Sequence, residues 1–169
     1  PVLVHWSRGE EFTVGYLRPM AVIDIRAGLD APPTIAAWDH RVINAGPAAL
    51  TPPYATAVRR LRSQPASSPV RQGSYRALGA TANNFARESA IDELAFSAGA
   101  DPLEFRLGLL DDERLAETLR QAASRFGWPA PAATEGPGRT GCGLAAGLEK
   151  GARVATCADV NGAWVRANR

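Results

Sequence analysis

Lysine is almost missing from this 169-residue chain: Lys150 is the only one among 19 basic residues, so arginine carries the positive charge. Seventeen acidic residues oppose it, leaving a formal net charge of +2. That balance removes the electrostatic reason to expect nucleic acid or an anionic membrane as a partner, because polyanion binders concentrate positive charge. Histidine is nearly as scarce. His5 and His40 lie far apart and in no metal-binding spacing, so each reads as a surface or hairpin-face residue rather than a ligand or a proton carrier. The only cysteines are Cys142 and Cys157, too few for a disulfide framework and in no CxxC pattern. They read as small buried residues on adjacent strands. No apolar run approaches the roughly 20 residues that span a bilayer, so no membrane span is expected. GxSxG, GxGxxG, HExxH and P-loop motifs are all missing, which leaves no generic signature for a nucleophile, a dinucleotide, zinc or a nucleotide phosphate.

Hydrophobic residues make up 46% of the chain, which suits one globular unit with its own core. Residues 1–6 (PVLVHW) are β-branched and apolar and read as a strand. Residues 20–27 alternate, with Ala21, Ile23 and Ile25 on one side and Asp24 and Arg26 on the other. A Gly/Asp/Pro turn leads to a second strand over 34–43, with Trp38 and Val42 on one face, which together predicts an antiparallel hairpin. Residues 44–69 hold six prolines and glycines around a short Arg-rich piece, 56–62, and read as an irregular loop with one helical turn.

Helical signals come next. Residues 82–98 carry a stripe of Phe85, Ala86, Ile91, Leu94, Ala95 and Ala98, with Gly99 placed to cap it. Asp101-Pro102-Leu103-Glu104 is a helix start, and 111–126 sets Leu115, Leu119, Ala122 and Phe126 on one face before Gly127 and Pro129 stop it. After a Pro/Ala/Gly linker, residues 139–160 return to strand around the turn-like Glu149-Lys150-Gly151, and Asn161-Gly162 signals a second hairpin. The expected architecture is α+β: antiparallel hairpins with a three-helix insert. Its parts are a β-hairpin portion (1–43), a Pro-rich loop (44–72), a helical portion (73–128) and a closing β portion (139–169), all in one unit.

Candidate chemistry is thin. The acidic pairs Glu10-Glu11, Asp92-Glu93 and Asp111-Asp112 raise general acid–base catalysis, but Asp111 and Asp112 sit at a helix head, where they offset its partial charge, and adjacent helical residues point apart. The glycines around Cys142 suit a bulge or close packing better than a phosphate cradle. One segment differs: Gly73-Ser74-Tyr75-Arg76-Ala77-Leu78-Gly79, which joins the loop to a helix. Its glycines permit close approach of a ligand to the backbone, its amides lie upstream of a helix N-terminus, and Arg76 offers a fork suited to an oxyanion. Taken alone, an ordinary loop-to-helix junction is the stronger reading.

Joined to the helical residues after it, this segment resembles a known family. GSYRALG, then Asn84-Phe85-Ala86-Arg87-Glu88-Ser89, then Ile91-Asp92-Glu93-Leu94-Ala95, then Gly99-Ala100-Asp101-Pro102 with Phe105-Arg106, is similar to the run G-x-x-R-x-x-G … N-x-F-A-x-E-S-x-I-D-E-L-A … G-x-D-P-x-x-F-R. That run belongs to the molybdopterin-binding large subunit of the aldehyde oxidase and xanthine dehydrogenase superfamily. Residues 1–19, the hairpin around Trp38, and Lys150-Gly151-Ala152-Arg153 also resemble the family, in the flavour of the isoquinoline 1-oxidoreductase or nicotinate dehydrogenase large subunit.

The resemblance implies an internal fragment of a bacterial molybdenum hydroxylase. The parent would oxidise aldehydes or N-heteroaromatic rings with water as oxygen source, using a molybdopterin cofactor and passing electrons to a [2Fe–2S] subunit or domain. It implies Arg76, Ala77 and Gly79 as cofactor-binding, and Leu78 at a substrate-pocket position that often carries an aromatic residue. The family's glycine-rich cofactor loop is expected before Pro1 and its catalytic glutamate after Arg169, so no catalytic and no metal-ligating residue is assigned here, and the chain alone is expected to be inactive and to lack the cofactor. The compartment, bacterial cytoplasm or periplasm, stays open. A second reading is a non-catalytic α+β scaffold or interaction domain derived from the family. A third, nucleic-acid binding through Arg59, Arg60 and Arg62, is opposed by the near-neutral charge and the lack of interleaved aromatics.

Overall fold

The computed structural model describes residues 1–31, 33–128, 140–161 and 164–168, the last stretch and Asn161 by backbone alone. Two three-stranded sheets flank a helical layer. The first sheet has the order β1-β2-β3, with β1 at Val22–Leu29, β2 at Ile35–Ile43 and β3 at Thr56–Gln64. The expected hairpin is present: β1 pairs antiparallel with β2, and Asp30 N–H donates to Thr34 across the turn. A register shift between Gly28 and Leu29 changes which side chains of β2 point inward. Because of it, Ile35 and Trp38 are both buried, and His40 and Val42 follow on the same face.

Two sequence expectations fail near these strands. Residues 1–6 form no strand; Val2 and Leu3 are each 92% exposed, because a β-branched run becomes a strand only by pairing with a sheet edge and this run pairs with none. The chain turns next into a helix instead, α1 at Arg8–Val14, closed by a reciprocal capping box between Ser7 and Glu10. The Arg-rich piece is likewise no loop. It is β3, which pairs parallel with β2 and sets Arg60 beside Asp39 and Arg62 beside Arg41. The proline-rich residues 44–55 are the crossover that a parallel pair requires.

α2 (Ala80–Ser97), α3 (Pro102–Leu107) and α4 (Glu113–Phe126) come after the first sheet, each begun and ended largely where its caps stand. Asp101 accepts from the N–H groups of Leu103 and Glu104, and Asp112 from that of Leu115. Gly99 and Gly127 take left-handed φ of 63° and 88° after α2 and α4. With α1 this makes four helices among the described residues rather than the three expected, in a fold that is α+β as expected.

α4 presents the apolar face foreseen to the second sheet: Leu115, Leu119 and Ala122 are buried and Phe126 is partly buried against the core, and Ala116 and Ala123 join them. α2 presents part of its expected stripe: Ile91 and Ala95 are in the core and Leu94 and Ala98 pack against it, but the stripe fails at Phe85. Phe85 is 78% exposed, while Asn83, Arg87 and Glu88 are buried alongside Ile91 and Ala95. The second sheet has the order β4-β5-β6, all antiparallel: β4 is Thr140–Glu149, β5 Ala152–Asn161 and β6 Trp164–Asn168. Lys150 and Gly151, at φ 48° and 81°, close the β4–β5 turn. Cys142 and Cys157 sit on these adjacent strands as free thiols, with Cys157 buried. Gly162, Pro129 and the expected linker lie outside the described residues.

Candidate functional site: a strained turn on a buried ionic platform

The glycine-flanked segment enters from a fixed point. Leu17 N–H donates to Arg71 and Gly73 N–H to Leu17, so residues 16–18 and 71–73 run side by side. A Cβ on Gly73 would stand 2.9 Å from the Tyr16 ring, which is why glycine is needed there. Arg18 then reaches over the turn: its guanidinium lies 4.4 Å from the Tyr75 ring centroid and donates to Thr81 Oγ1 at 3.1 Å.

Residues 75–80 form a tight turn, with Leu78 N–H donating to Tyr75 and Ala80 N–H to Ala77. Ala77 and Leu78 both take left-handed backbone, at φ 66° and 50°. Each costs roughly 1–2 kcal/mol for an L-residue, and consecutive examples persist only where the surroundings over-determine them. Among the described residues, the amides of Ser74, Tyr75, Arg76 and Ala77 donate to no protein group, and Arg76 is exposed and forms no ion pair. The turn therefore offers N–H groups without a protein acceptor, on exposed residues next to a guanidinium, an arrangement able to hold an anionic or oxo group. Leu78 is 44% exposed. Gly79 is buried beneath the turn, where a Cβ would come within 2.6 Å of the Ala45 carbonyl oxygen and 2.7 Å of that of Gly46.

The platform under the turn is polar. Asn83 donates to the carbonyls of Gly46 and Ala48, at 3.0 and 2.9 Å, and Arg87 donates to that of Ala49 at 3.0 Å. Arg87 also reaches the Ala146 carbonyl and the Glu88 carboxylate. Glu88 Oε2 in turn accepts from Tyr54 Oη at 2.9 Å, from Arg106 at 3.1 Å and from Ala146 N–H at 3.0 Å. Asp92, half-exposed, closes the set on Arg106 at 2.7 Å. Two buried arginines thus meet two carboxylates and a phenol, and the charges cancel inside the protein. Burial raises the Tyr54 and Asp92 pKa values, the nearby Glu88 charge reinforcing the first and Arg106 opposing the second. Burial works against the Arg106 charge, but Glu88, Tyr54 and Asp92 together outweigh it and raise its pKa.

These platform residues carry no assignment at the level of sequence, although Arg87, Glu88 and Arg106 lie inside the quoted motifs. The available signal was their placement at helical spacing with Ile91 and Ala95, which puts charge on a stripe that packs inward. His40 is another departure. It lies on the hairpin face, as expected, yet fully buried, with both ring nitrogens unpartnered, and desolvation followed by the Arg87 charge lowers its pKa to about 4.

A cavity of about 530 Å³ opens beside this platform, between α2 and β4 and β5, lined by Glu88 and Asp92 of the platform with Phe85, Ser89, Ala145 and Val154 among others. None of Arg76, Ala77, Leu78 and Gly79 lines it. Among the described residues no cluster of three or more His, Cys, Asp or Glu could hold a metal ion, and no helix is long and apolar enough to cross a membrane.

No protein-family model matches the chain. Relatives do. The chain is 30% identical over 152 residues to a subunit of the nicotinate dehydrogenase of Pseudomonas putida, a match covering 76% of this chain and 13% of that protein. It is 35% identical over 172 aligned positions to the aldehyde oxidoreductase molybdenum-binding subunit PaoC of Escherichia coli, covering 81% of this chain and 23% of that one. In structure it resembles the aldehyde oxidoreductases of Desulfovibrio gigas and Desulfovibrio desulfuricans, each with a TM-score of 0.54, at 18% and 19% identity. The first match covers 77% of this chain and 18% of the other, the second 76% and 18%. The chain thus spans under a quarter of the length of these curated relatives, and within that span it belongs to the molybdenum hydroxylase family.

Proposed function

We propose that this chain supplies one wall of the molybdopterin site in a hydroxylase that oxidises aldehydes or N-heteroaromatic rings, with water as the oxygen source. The observation that supports it is the turn at residues 75–79: two consecutive left-handed residues, amides without a protein acceptor and an exposed Arg76 in no ion pair among the described residues. Such a turn fits an electron-rich, oxo- and phosphate-bearing cofactor, because fixed N–H dipoles and a guanidinium stabilise negative charge without reorganising. Arg76 and the Ala77 amide would hold the cofactor, and Gly79 lets the turn sit directly on the carbonyls of Ala45 and Gly46. Leu78 would face the substrate as an aliphatic wall in place of an aromatic one.

The bound molybdenum centre supplies the two-electron oxidation. The protein's part is to orient and polarise. Arg18, laid over Tyr75 and bonded to Thr81, holds the turn's shape, and the Asn83, Arg87 and Glu88 platform keeps its floor rigid. Electrons would leave through a [2Fe–2S] subunit or domain, and the stretch described here would be inactive by itself.

The test uses the whole gene product containing this stretch. Arg76→Ala is expected to lower molybdenum per protein, or to lower kcat/KM on an aldehyde and on an N-heteroaromatic carboxylate by about 10²-fold, the scale seen when a preorganised donor is removed. A whole protein that carries no molybdenum by metal analysis would instead support the non-catalytic scaffold.

A further inference from the structure

The outward face of the first sheet carries a charge pattern that the cofactor turn does not use. In one row across the strands stand Asp24, Arg41 and Arg62; in the next stand Arg26, Asp39 and Arg60. Four guanidinium groups therefore face two carboxylates, and the six side chains line a polar cavity of about 220 Å³. Asp39 is saturated: Arg60 and Arg62 both bind it, Arg62 at 3.0 Å, and its pKa falls to about 2, chiefly through the Arg60 hydrogen bond. Asp24 faces Arg41 at 3.8 Å. Arg26, opposite Asp39 in register, is exposed and closes no ion pair among the described residues, and Arg62 Nε is buried without a partner. The face thus holds an excess of two positive charges, with a donor already removed from water and unspent.

Among the described residues, no strand pairs with the edge beside this face. β3 pairs with β2 alone among the described residues, runs for nine residues and contains no proline. Such an edge presents alternate N–H and C=O groups for a further strand. Its charge decides which strand. A second copy of β3 would set Arg59, Arg60 and Arg62 against their own counterparts, and like charges directly opposite destabilise pairing. A polyphosphate backbone would meet Asp24 and Asp39 interleaved among the arginines, on a face without stacking aromatics. Carboxylates on alternate residues of an extended peptide would instead continue both rows, each next to a guanidinium, with bidentate geometry available.

We infer that the β3 edge and its arginine-rich face dock an extended acidic segment of a partner protein, added as a fourth strand with carboxylates at alternate positions beside Arg60 and Arg62. Backbone hydrogen bonds supply the register, and the guanidinium rows supply the selection.

The experiment measures fluorescence anisotropy of a labelled nine-residue peptide of alternating Glu and Thr titrated with the whole gene product containing this stretch. Saturable binding is expected, weakened about tenfold or more between 50 and 500 mM NaCl, as screening of exposed pairs requires. Arg60→Glu with Arg62→Glu is expected to abolish it and to confer binding of the alternating Lys and Thr peptide, a gain that only a folded variant can show. Should that double variant fail to fold, Arg26→Glu, which breaks no ion pair, is expected to weaken binding several-fold. Methylating alternate backbone nitrogens of the peptide is expected to abolish binding in one register and spare it in the other. Equal loss in both registers, equal binding by the variants, or tighter binding of a single-stranded DNA of matched charge would each overturn the assignment, as would inorganic sulfate displacing the peptide at equal charge.

Discussion

The Glu88 carboxylate on α2 and the Arg106 guanidinium on α3 meet at 3.1 Å, with side-chain exposures of 8% and 0%. Arg106 also donates to the backbone carbonyl of Glu88 itself, so α3 is pinned to one residue of α2 by side chain and main chain together. Because Glu88 also receives Tyr54 and the Ala146 amide, the same carboxylate joins the crossover, two helices and β4.

Glu88→Gln removes the charge that balances Arg87 and Arg106 while keeping its size. It is expected to cost about 3–5 kcal/mol, the usual penalty for stranding a buried partner. Urea unfolding followed by Trp fluorescence measures it; a loss under about 1 kcal/mol would show that the network is not holding the layers together.

His40 ties stability to acid. Its folded pKa of about 4 lies below the ordinary 6.5, so the unfolded chain binds the proton first. The neutral ring's contribution is therefore complete above pH 6.5 and is lost as pH falls from 6.5 towards 4, with a slope of up to about 1.4 kcal/mol per pH unit. Asp39 acts lower, contributing above 3.8 and losing its contribution between 3.8 and about 2, so the two windows do not overlap. Unfolding midpoints at pH 7, 5.5 and 4.5 should fall in the native chain and fall much less in His40→Leu; parallel slopes would exclude His40 as the cause.

Gly79→Ala tests the seat of the turn. Gly79 has an ordinary φ of −68°, so the penalty comes from contact rather than from backbone strain. The added methyl meets two carbonyl oxygens under 3 Å away, and an overpacking cost of about 1–3 kcal/mol is expected. Gly46→Ala is the comparison: nothing surrounds that Cβ, but φ is 86°, so only its backbone is strained. Chemical shifts of residues 75–79 should move in the first variant and stay near native in the second.

Asp112 performs two tasks, capping α4 through Leu115 and binding Arg153 of β5 at 2.7 Å. Asp112→Asn keeps the cap and loses the ion pair, whereas Asp112→Ala loses both. Thermal midpoints should rank native above Asn above Ala; equal values for the two variants would mean that the cap carries nothing.

Much of the local structure was readable because its causes lie within a few residues. Asp101-Pro102 starts α3, Gly127 stops α4, and Lys150-Gly151 turns β4 into β5, each through its own backbone chemistry. The Ser7–Glu10 capping box was equally local and equally legible, though the run before it drew attention to a strand. β3 was different: prolines around it and arginines within it speak against a strand, and only β2, with Asp39 waiting in register, makes it one. The α2 stripe held over Ile91, Leu94, Ala95 and Ala98 but misled in its first turns for the same reason. Phe85 is apolar yet faces outward, and Arg87 and Glu88 are charged yet face inward.

The amino-acid sequence determined by itself the family, the α+β class, the start of α3, the stop of α4 and the β4–β5 turn, along with the GSYRALG segment as the place to look. Tertiary structure alone decided that this segment is a strained turn whose amides find no protein acceptor, that its floor is an ionic network, and that the arginines of β3 form rows with Asp24 and Asp39. The physical reason is range. Caps and turns are satisfied by neighbours in the chain, but burying a charge or pairing a strand depends on partners such as Glu88 and Arg106, eighteen residues apart, or Asp39 and Arg60, twenty-one apart, that meet only once the layers have packed.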